Sequence, residues 1–311
     1  MAQITNTILM VRPVNFRMNE QTAVNNYYQK NLTATLPATI QAKALEEFDA
    51  FVSKLKVEGI NVIVVEDTPE PNTPDSIFPN NWISFHADGT VGIYPMFAQN
   101  RRDERREDVL DILETNGFHI NDVVDYTAAE DEEIYLEGTG SLLLDRENKI
   151  AYCALSQRAE DDLVIDFCED FEFTPLLFTA YQTVNGERKA IYHTNVMMAL
   201  AEEFAVVCLA SIDDKKERKQ LVKQLKESGK QIVNISEKQV ENFAGNMLQV
   251  IGANDQRYTV MSAAADNCLT KEQRSIIEKS SKILSSSLTT IETCGGGSAR
   301  CMMAEVFLPK A

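Results

Sequence analysis

The 311-residue chain is poor in basic residues and histidine, and it has no long hydrophobic run. Thirty Lys and Arg stand against 47 Asp and Glu, a formal charge of −17. Such a chain repels phosphate backbones and anionic membrane surfaces unless a basic patch is segregated on one face, so neither nucleic acid nor membrane is an expected partner. Only three histidines occur (His86, His119 and His193), with no HxxxH and no CxxC, so the usual ligand spacings of a transition metal are missing and neither a metal nor a cofactor is expected. The apolar run at residues 8–11 is far shorter than a signal-peptide core, and no later segment approaches the ~20 apolar residues of a spanning helix. Cytoplasm is therefore the expected location. Six cysteines without a secretory signal read as free thiols, most of them buried. What remains is an ordinary globular composition, 44% hydrophobic and 25% charged. A globular chain of this length buries roughly 75% of the surface its unfolded form exposes, as one large domain or two small ones.

No Pro-, Gly- or Ser-rich linker divides the chain, and its organisation lies in an internal period. Asn80 and Asn81 precede strand patterns at 82–85 and 91–94, a helical pattern at 101–115 and a strand at 122–126. The order restarts after Glu137 with 141–144, 150–155, a short helix at 159–167 and 172–178. It restarts after His193 and Asn195 with 196–201, 204–210, a charged helix at 213–227 closed by Gly229, and 231–235. A fourth copy follows Asn246, with 247–251, 258–263, a helix at 271–285 opened by a Thr270/Gln273 capping box, and 288–291. The starts Asn81, Gly138, Asn195, Asn246 and Cys301 are 57, 57, 51 and 55 residues apart. The last unit, 294–308, has room for a strand but no helix, while the N-terminal segment supplies a strand at 8–11, a helix at 38–58 and a strand at 61–65. Five ββαβ units closing into a ring, the first completed by both termini, make residues 1–311 one α/β domain.

In such a ring the residues before each first strand gather at one end: Asn80 and Asn81, Glu137, His193 and Asn195, Asn246, and Cys301. Cys, His and a carboxylate are the parts of a thiol-nucleophile site. Taken singly, each has a plainer reading: Cys301 a buried thiol, His193 a hydrogen-bonded core histidine, Glu137 a turn carboxylate. The three consecutive glycines 295–297 lack the Lys-Ser or Lys-Thr of a phosphate loop. The convergence, not any single residue, points to chemistry.

The motifs Phe78-Pro79-Asn80-Asn81-Trp82, Leu136-Glu137-Gly138, His193-Thr194-Asn195 and Cys294-Gly295-Gly296-Gly297-Ser298-Ala299-Arg300-Cys301 resemble, in order and over nearly the whole chain, the guanidino-group-modifying superfamily of amidinotransferases, arginine deiminases and dimethylarginine hydrolases. The resemblance implies the pentein fold, a five-bladed α/β propeller with pseudo-five-fold symmetry. It implies Cys301 as covalent nucleophile, His193 as general acid/base and Glu137 as its partner. It also implies arginines at the amino-acid end of the substrate, matching Arg158 in Ser156-Gln157-Arg158 and either Arg101 or Arg102, and an aspartate near the substrate, matching Asp75. A fork-like guanidinium suits an α-carboxylate, although solvated helix-end charges are the plainer reading of these arginines.

Arginine-processing members carry aspartates where this chain has Asn81 and Asn195. Hydrogen bonds involving an ion contribute ~1.5–3 kcal/mol against ~0.5–1.5 for neutral ones, so two amides penalise a guanidinium. A neutral ureido group needs donors as well as acceptors, and Asn supplies both. The expectation is a cysteine-dependent hydrolase converting citrulline to ornithine, ammonia and carbon dioxide. The alternatives are an arginine dihydrolase, deiminase or amidinotransferase, and a non-catalytic ribosome-binding pentein factor, to which −17 is poorly suited. The expected partner is a small amino-acid substrate. A homo-oligomer is compatible with the sequence.

Overall fold

The computed structural model describes residues 2–310. Strand β1 (Thr7–Arg12) leads to a helix, Pro37–Val57, which buries Ile40, Ala44, Phe48, Phe51, Val52 and Leu55 at the three- and four-residue spacing of one helical face. The chain returns as β2 (Asn61–Glu66), parallel to β1 with Ile8 opposite Val62. Each of the next units repeats one pairing, an antiparallel hairpin whose second strand is joined in parallel by a third. The triplets are β3 (Ile83–Phe85), β4 (Thr90–Ile93) and β5 (Asp122–Asp125), then β6 (Leu142–Asp145), β7 (Ile150–Leu155) and β8 (Thr174–Thr179). A separate hairpin of β9 (Tyr181–Val184) and β10 (Glu187–Ala190) follows. The triplets resume with β11 (Met198–Leu200), β12 (Phe204–Val207) and β13 (Gln231–Asn234), then β14 (Leu248–Ile251), β15 (Arg257–Ser262) and β16 (Lys282–Ser286). Finally β17 (Ala304–Glu305) pairs antiparallel with β1, so the first sheet holds strands from both ends of the chain, in the order β17-β1-β2.

The sheets touch through their first strands: β17 packs beside β3, β6 beside β11, and β11 beside β14. The turn at Gly138–Ser141 packs against the Pro79–Asn81 turn, and the Ile251 N–H donates to Thr5 O at 3.0 Å. Buried first strands explain their short apolar runs, such as Leu142-Leu143-Leu144 and Met198-Ala199-Leu200. The helix Lys215–Glu227 buries only Leu221 and Leu225, which accounts for its charged sequence, and Asp214 caps its N-terminus by accepting from Lys216 N and Glu217 N. Among the described residues no helix is long and apolar enough to cross a membrane.

Four features differ from the sequence reading. The helix expected at 101–115 is broken into Gln99–Arg102 and Asp108–Thr115. Between them the charged side chains leave the helical surface for distant partners: Arg105 pairs with Glu130, and Arg106 donates to Glu66 O at 2.6 Å. The helix expected at 271–285 stops at Ile277, because Ile283 and Leu284 are drawn into register opposite Thr259 and Val260. The Thr270/Gln273 capping box does open it. The strand expected at 288–291 is instead the start of a helix, Thr289–Gly295, whose free N–H groups at Thr290 and Ile291 donate to the Glu47 carboxylate at 2.8 and 3.0 Å. That carboxylate comes from the Pro37–Val57 helix, far away in sequence. The β9–β10 hairpin has no counterpart in the period.

Phe51 is fully buried in the cluster that also holds Ile291, Ala299 and Met302 around the Cys301 segment. Phe51→Ala should lower unfolding stability by about 3–5 kcal/mol, read from the urea midpoint by circular dichroism; a loss under about 1 kcal/mol would contradict this packing.

Candidate active site

Each first strand is entered through a tight turn, and the side chains just before and within those turns are buried together. Glu137, His193, Asn195, Asn246 and Cys301 are all buried. Gly138 turns the chain after Glu137 with φ +42°, and a β-carbon there would lie 2.6 Å from Asn80 O, so only glycine lets the second and first units approach. Gly140 does the same beside the Asn81 amide and the His193 ring.

The His193 Nε2–H donates to Glu137 Oε2 at 2.7 Å, which leaves Nδ1 as the free ring nitrogen. Burial pulls the imidazole down to about 4, against the pull of Glu137, so it is neutral near pH 7. Burial alone would raise the Glu137 carboxyl, but Arg158, His193 and Arg101 together hold it below the usual carboxylate range. Arg158 Nη1 lies 3.5 Å and Arg101 Nη1 3.8 Å from Glu137 Oε2, and Phe97 N donates to Oε1 at 3.1 Å.

Two amides surround the Cys301 sulfur. Asn246 Nδ2 is 3.2 Å and Asn195 Nδ2 3.6 Å from Sγ. Asn246 is held from its other side, its Oδ1 accepting from Arg300 N at 3.0 Å and from Cys301 N at 3.4 Å, while Nδ2 also reaches Asn195 O at 3.0 Å. Amide donors at this range suit a thiolate. Burial pushes the Cys153 and Cys168 thiols up to about 12, and Cys208, Cys268 and Cys294 are also raised by burial. Those five are free cysteines with no comparable pair of amides at sulfur.

A small cavity opens on this set, lined by Asp75, Phe78, Asn81, Arg101, Arg158, Tyr192, His193 and Cys301. The structure decides between the two arginines of the pair. Arg101 is buried at the cavity, while Arg102 is 28% exposed and donates to Met96 O and toward Tyr135. Arg101 is also already engaged: Nε and Nη2 fork onto Glu104 at 2.9 Å each, and Nη1 donates to Asn81 Oδ1 at 2.9 Å. Asn80 is buried behind the cavity, its Oδ1 accepting from Asn81 Nδ2 at 3.2 Å. Asp75 Oδ2 accepts from Asn19 Nδ2 at 2.8 Å and Thr22 Oγ1 at 3.0 Å, and burial raises its carboxyl despite Arg101.

Thr22 and Asn25, with Asn19, Asn26 and Gln29, belong to a strap over the cavity that the sequence reading missed. Arg158 donates to Asn25 Oδ1 and to Thr22 O, each at 3.0 Å, and Asn26 and Gln29 donate to Gly295 O. No hydrophobic periodicity marks residues 17–30, so only their abundance of Asn and Gln hinted at them. Asn246 did carry a signal, as the first residue of the fourth unit. Among the described residues no group of three or more His, Cys, Asp or Glu is arranged to hold a metal ion.

The pair of depressed values sets a pH dependence. Glu137, lowered on folding, contributes stability that is present above its unfolded value of about 4.3 and is lost as pH falls through the folded value. His193 binds its proton at about 6.5 unfolded but only near 4 folded, so stability falls with pH across that window. Urea unfolding at pH 7 and pH 4.5 should show a loss about 2–3 kcal/mol larger in the wild type than in His193→Gln; equal losses would contradict a neutral, buried His193.

The fold matches solved structures along nearly its whole length. Apo ArgZ, an arginine dihydrolase from the ornithine-ammonia cycle in cyanobacteria, aligns with TM-score 0.73 and 18% identity over 98% of this chain. The chain spans only 41% of that protein, but 99% of ArgZ's N-terminal domain, with TM-score 0.70. A dimethylarginine dimethylaminohydrolase adduct with S-methyl-L-thiocitrulline aligns with TM-score 0.62 and 14% identity, over 97% of this chain and 99% of that one. No curated protein matches the sequence. These superpositions show a mixed α/β fold structurally similar to that of pentein proteins. The model of the eukaryotic N,N dimethylarginine dimethylhydrolase family matches residues 12–308, and the chain belongs to that family, whose hydrolases act on the guanidino groups of arginine derivatives.

Proposed function

We propose that this protein is a cysteine hydrolase that takes a ureido amino acid, citrulline, to ornithine, ammonia and carbon dioxide. The observation that carries this reading is the neutral amide lining: Asn81 at the cavity, and Asn195 and Asn246 with their nitrogens at the Cys301 sulfur. A guanidinium bound here would meet amides where a carboxylate would pair with it, whereas a ureido carbonyl finds donors. Of the buried carboxylates around the cavity, Glu104 is engaged by Arg101 and Glu137 by His193 and Arg158, while Asp75, whose Oδ2 accepts from Asn19 and Thr22, is the one left to meet a cationic group of the substrate. Arginine is the second reading, favoured by the likeness to ArgZ.

In the proposed reaction the Cys301 thiolate forms a bond to the ureido carbon. The free Nδ1 of His193, having taken up the Cys301 thiol proton, delivers it to a departing nitrogen, and the C–N bond breaks to leave a carbamoyl thioester on Cys301. The neutral imidazole then takes a proton from water, which attacks the thioester and frees Cys301 as thiolate. If ornithine leaves first, the carbamate released decomposes to ammonia and carbon dioxide; if ammonia leaves first, the carbamate of ornithine decomposes to ornithine and carbon dioxide; one water is consumed overall. The Asn195 and Asn246 amides stabilise the thiolate and the negative charge that develops on oxygen. Asp75 receives the α-ammonium group. Arg158 receives the α-carboxylate by exchanging its Asn25 contact, since Arg101 is held by Glu104. A cavity of about 20 Å³ has room for little more than a water, so substrate entry requires the strap to move.

The five similar sheets, with each first strand against the next unit, support a closed five-bladed ring in one domain with Cys301 at one end of its axis. Free cysteines throughout support a cytoplasmic setting.

Incubation with citrulline, arginine and N-methylarginines, followed by mass analysis, should yield ornithine from citrulline and a carbamoyl adduct on Cys301, both abolished in Cys301→Ala. Turnover of a guanidino compound without turnover of citrulline would overturn the reading. Asn81→Asp combined with Asn195→Asp should shift preference toward guanidino compounds; full citrulline activity with no arginine binding would refute the role given to the amides. Asn246→Ala should lower kcat about 10–100-fold and slow iodoacetamide alkylation of Cys301 below pH 8, whereas unchanged alkylation would deny it contact with the thiolate.

A further inference from the structure

A second cavity, of about 20 Å³, lies where first strands of four sheets meet, lined by Leu142, Leu143 and Leu144, Leu200, Leu248 and Glu305, together with two arginines, Arg146 and Arg300. Both are almost fully buried, at 2% and 3% exposure. Their partners differ. Arg300 is compensated, with Nη2 donating to Glu305 at 2.8 Å and Nη1 to Met303 O at 2.7 Å. Arg146 is not. Its Nη1 has no hydrogen-bond partner, and among the described residues no carboxylate lies within ion-pair distance of its guanidinium. Its Cζ lies 3.9 Å from the centre of the Phe307 ring, whose face offers only a partial negative charge.

An arginine keeps its charge in proteins, so this site cannot relieve the cost of burial by losing a proton, as a lysine could. Burial lowers the Arg146 guanidinium and Arg300 adds to that by repulsion, while Glu305, Tyr94 and Asp88 act only from a distance. The three ionic groups facing the cavity, Arg146, Arg300 and Glu305, leave one positive charge over. A buried charge of this kind is strongly unfavourable unless paired. The cavity holds one occupant of the size of a water molecule or slightly larger, and a water carries no charge.

We propose that this cavity is a binding site for a small monovalent anion of the halide class, held by Arg146 and Arg300. The anion neutralises the uncompensated guanidinium and occupies the donor that Arg146 Nη1 presents. It also bears on the site described above, because Arg300 precedes Cys301 and its backbone N–H donates to Asn246 Oδ1. Thr139, another wall of the cavity, follows Glu137 by two residues and donates to Asn80 O at 3.2 Å. Anion binding therefore stiffens the turns that carry Glu137 and Cys301. The inference rests on the geometry around Arg146 and is independent of which substrate is hydrolysed.

Crystals of the wild-type protein grown in sodium bromide, with data collected at the bromine absorption edge, should show an anomalous peak at hydrogen-bonding distance from Arg146 Nη1. In solution, replacing gluconate by chloride at constant ionic strength should raise the thermal midpoint by about 2–4 °C, following the saturation law of a single site. Arg146→Met keeps the length of the stem and removes the charge, and it should abolish the chloride dependence. Absence of the bromide peak, a midpoint indifferent to the anion, or an unchanged chloride dependence in Arg146→Met would each overturn the proposal. If Arg146→Met does not fold, the bromide experiment and the wild-type titration decide it on their own.

Discussion

Burying the Glu137 carboxylate is unfavourable by itself, and much of the site follows from how that charge is compensated. It is surrounded by His193, Arg158, Arg101 and the Phe97 N–H, drawn from its own unit and the two flanking it. None of these groups is free to move independently. Arg158 is tied through Asn25 to the strap, Arg101 through Glu104 and Asn81 to the turn before β3, and His193 to the turn before β11. A low-dielectric interior makes such a network strong when complete and costly when a member is missing. Burial, helped by Arg158 and Arg101 and opposed by Glu137, keeps the imidazole neutral, with its proton on Nε2 and Nδ1 free.

The sulfur of Cys301 is organised by a different principle. Among the described residues no cation is bonded to it; the groups at bonding range are two side-chain amides, Asn195 and Asn246, supplied by successive units. The helix Thr289–Gly295, started by the Glu47 carboxylate, delivers the glycine-rich turn, and Tyr192 donates to Gly296 O at 2.8 Å to fix its path. A buried apolar cluster containing Ile291, Ala299, Met302 and Met303 anchors this segment on both sides of Cys301. Positioning here is done by packing, and the surroundings of the sulfur are set by a few polar contacts, a division that lets side chains at the site vary without disturbing the fold.

How much could be read in advance follows from how local each cause is. The ββαβ period was legible because each unit repeats the same buried first strand, so Leu142-Leu143-Leu144 and Met198-Ala199-Leu200 stand out as short apolar runs. Cys301, His193 and Glu137 were legible because equivalent turns place them at the same point of successive units. The breaks at 103–107 and 278–281 were not, since the first is set by Arg105 and Arg106 reaching Glu130 and Glu66 and the second by pairing of Ile283 with Thr259. The strap was invisible for a similar reason: Asn19, Thr22, Asn25 and Asn26 have no periodicity, and their role consists entirely of contacts to Asp75, Arg158 and Gly295.

By itself, then, the sequence determined the units, their order and the residue types available for catalysis, because hydrophobic period and turn chemistry act over a few residues. It also determined that amides stand at positions 81 and 195. Only the tertiary structure decided that Arg101 and not Arg102 faces the cavity, that its guanidinium is already spent on Glu104, that Asn246 joins Asn195 at the thiol, and that Arg146 lies buried without a carboxylate. Each of those outcomes depends on which distant groups share a small volume of low dielectric, and that is settled by the packing of one unit against the next.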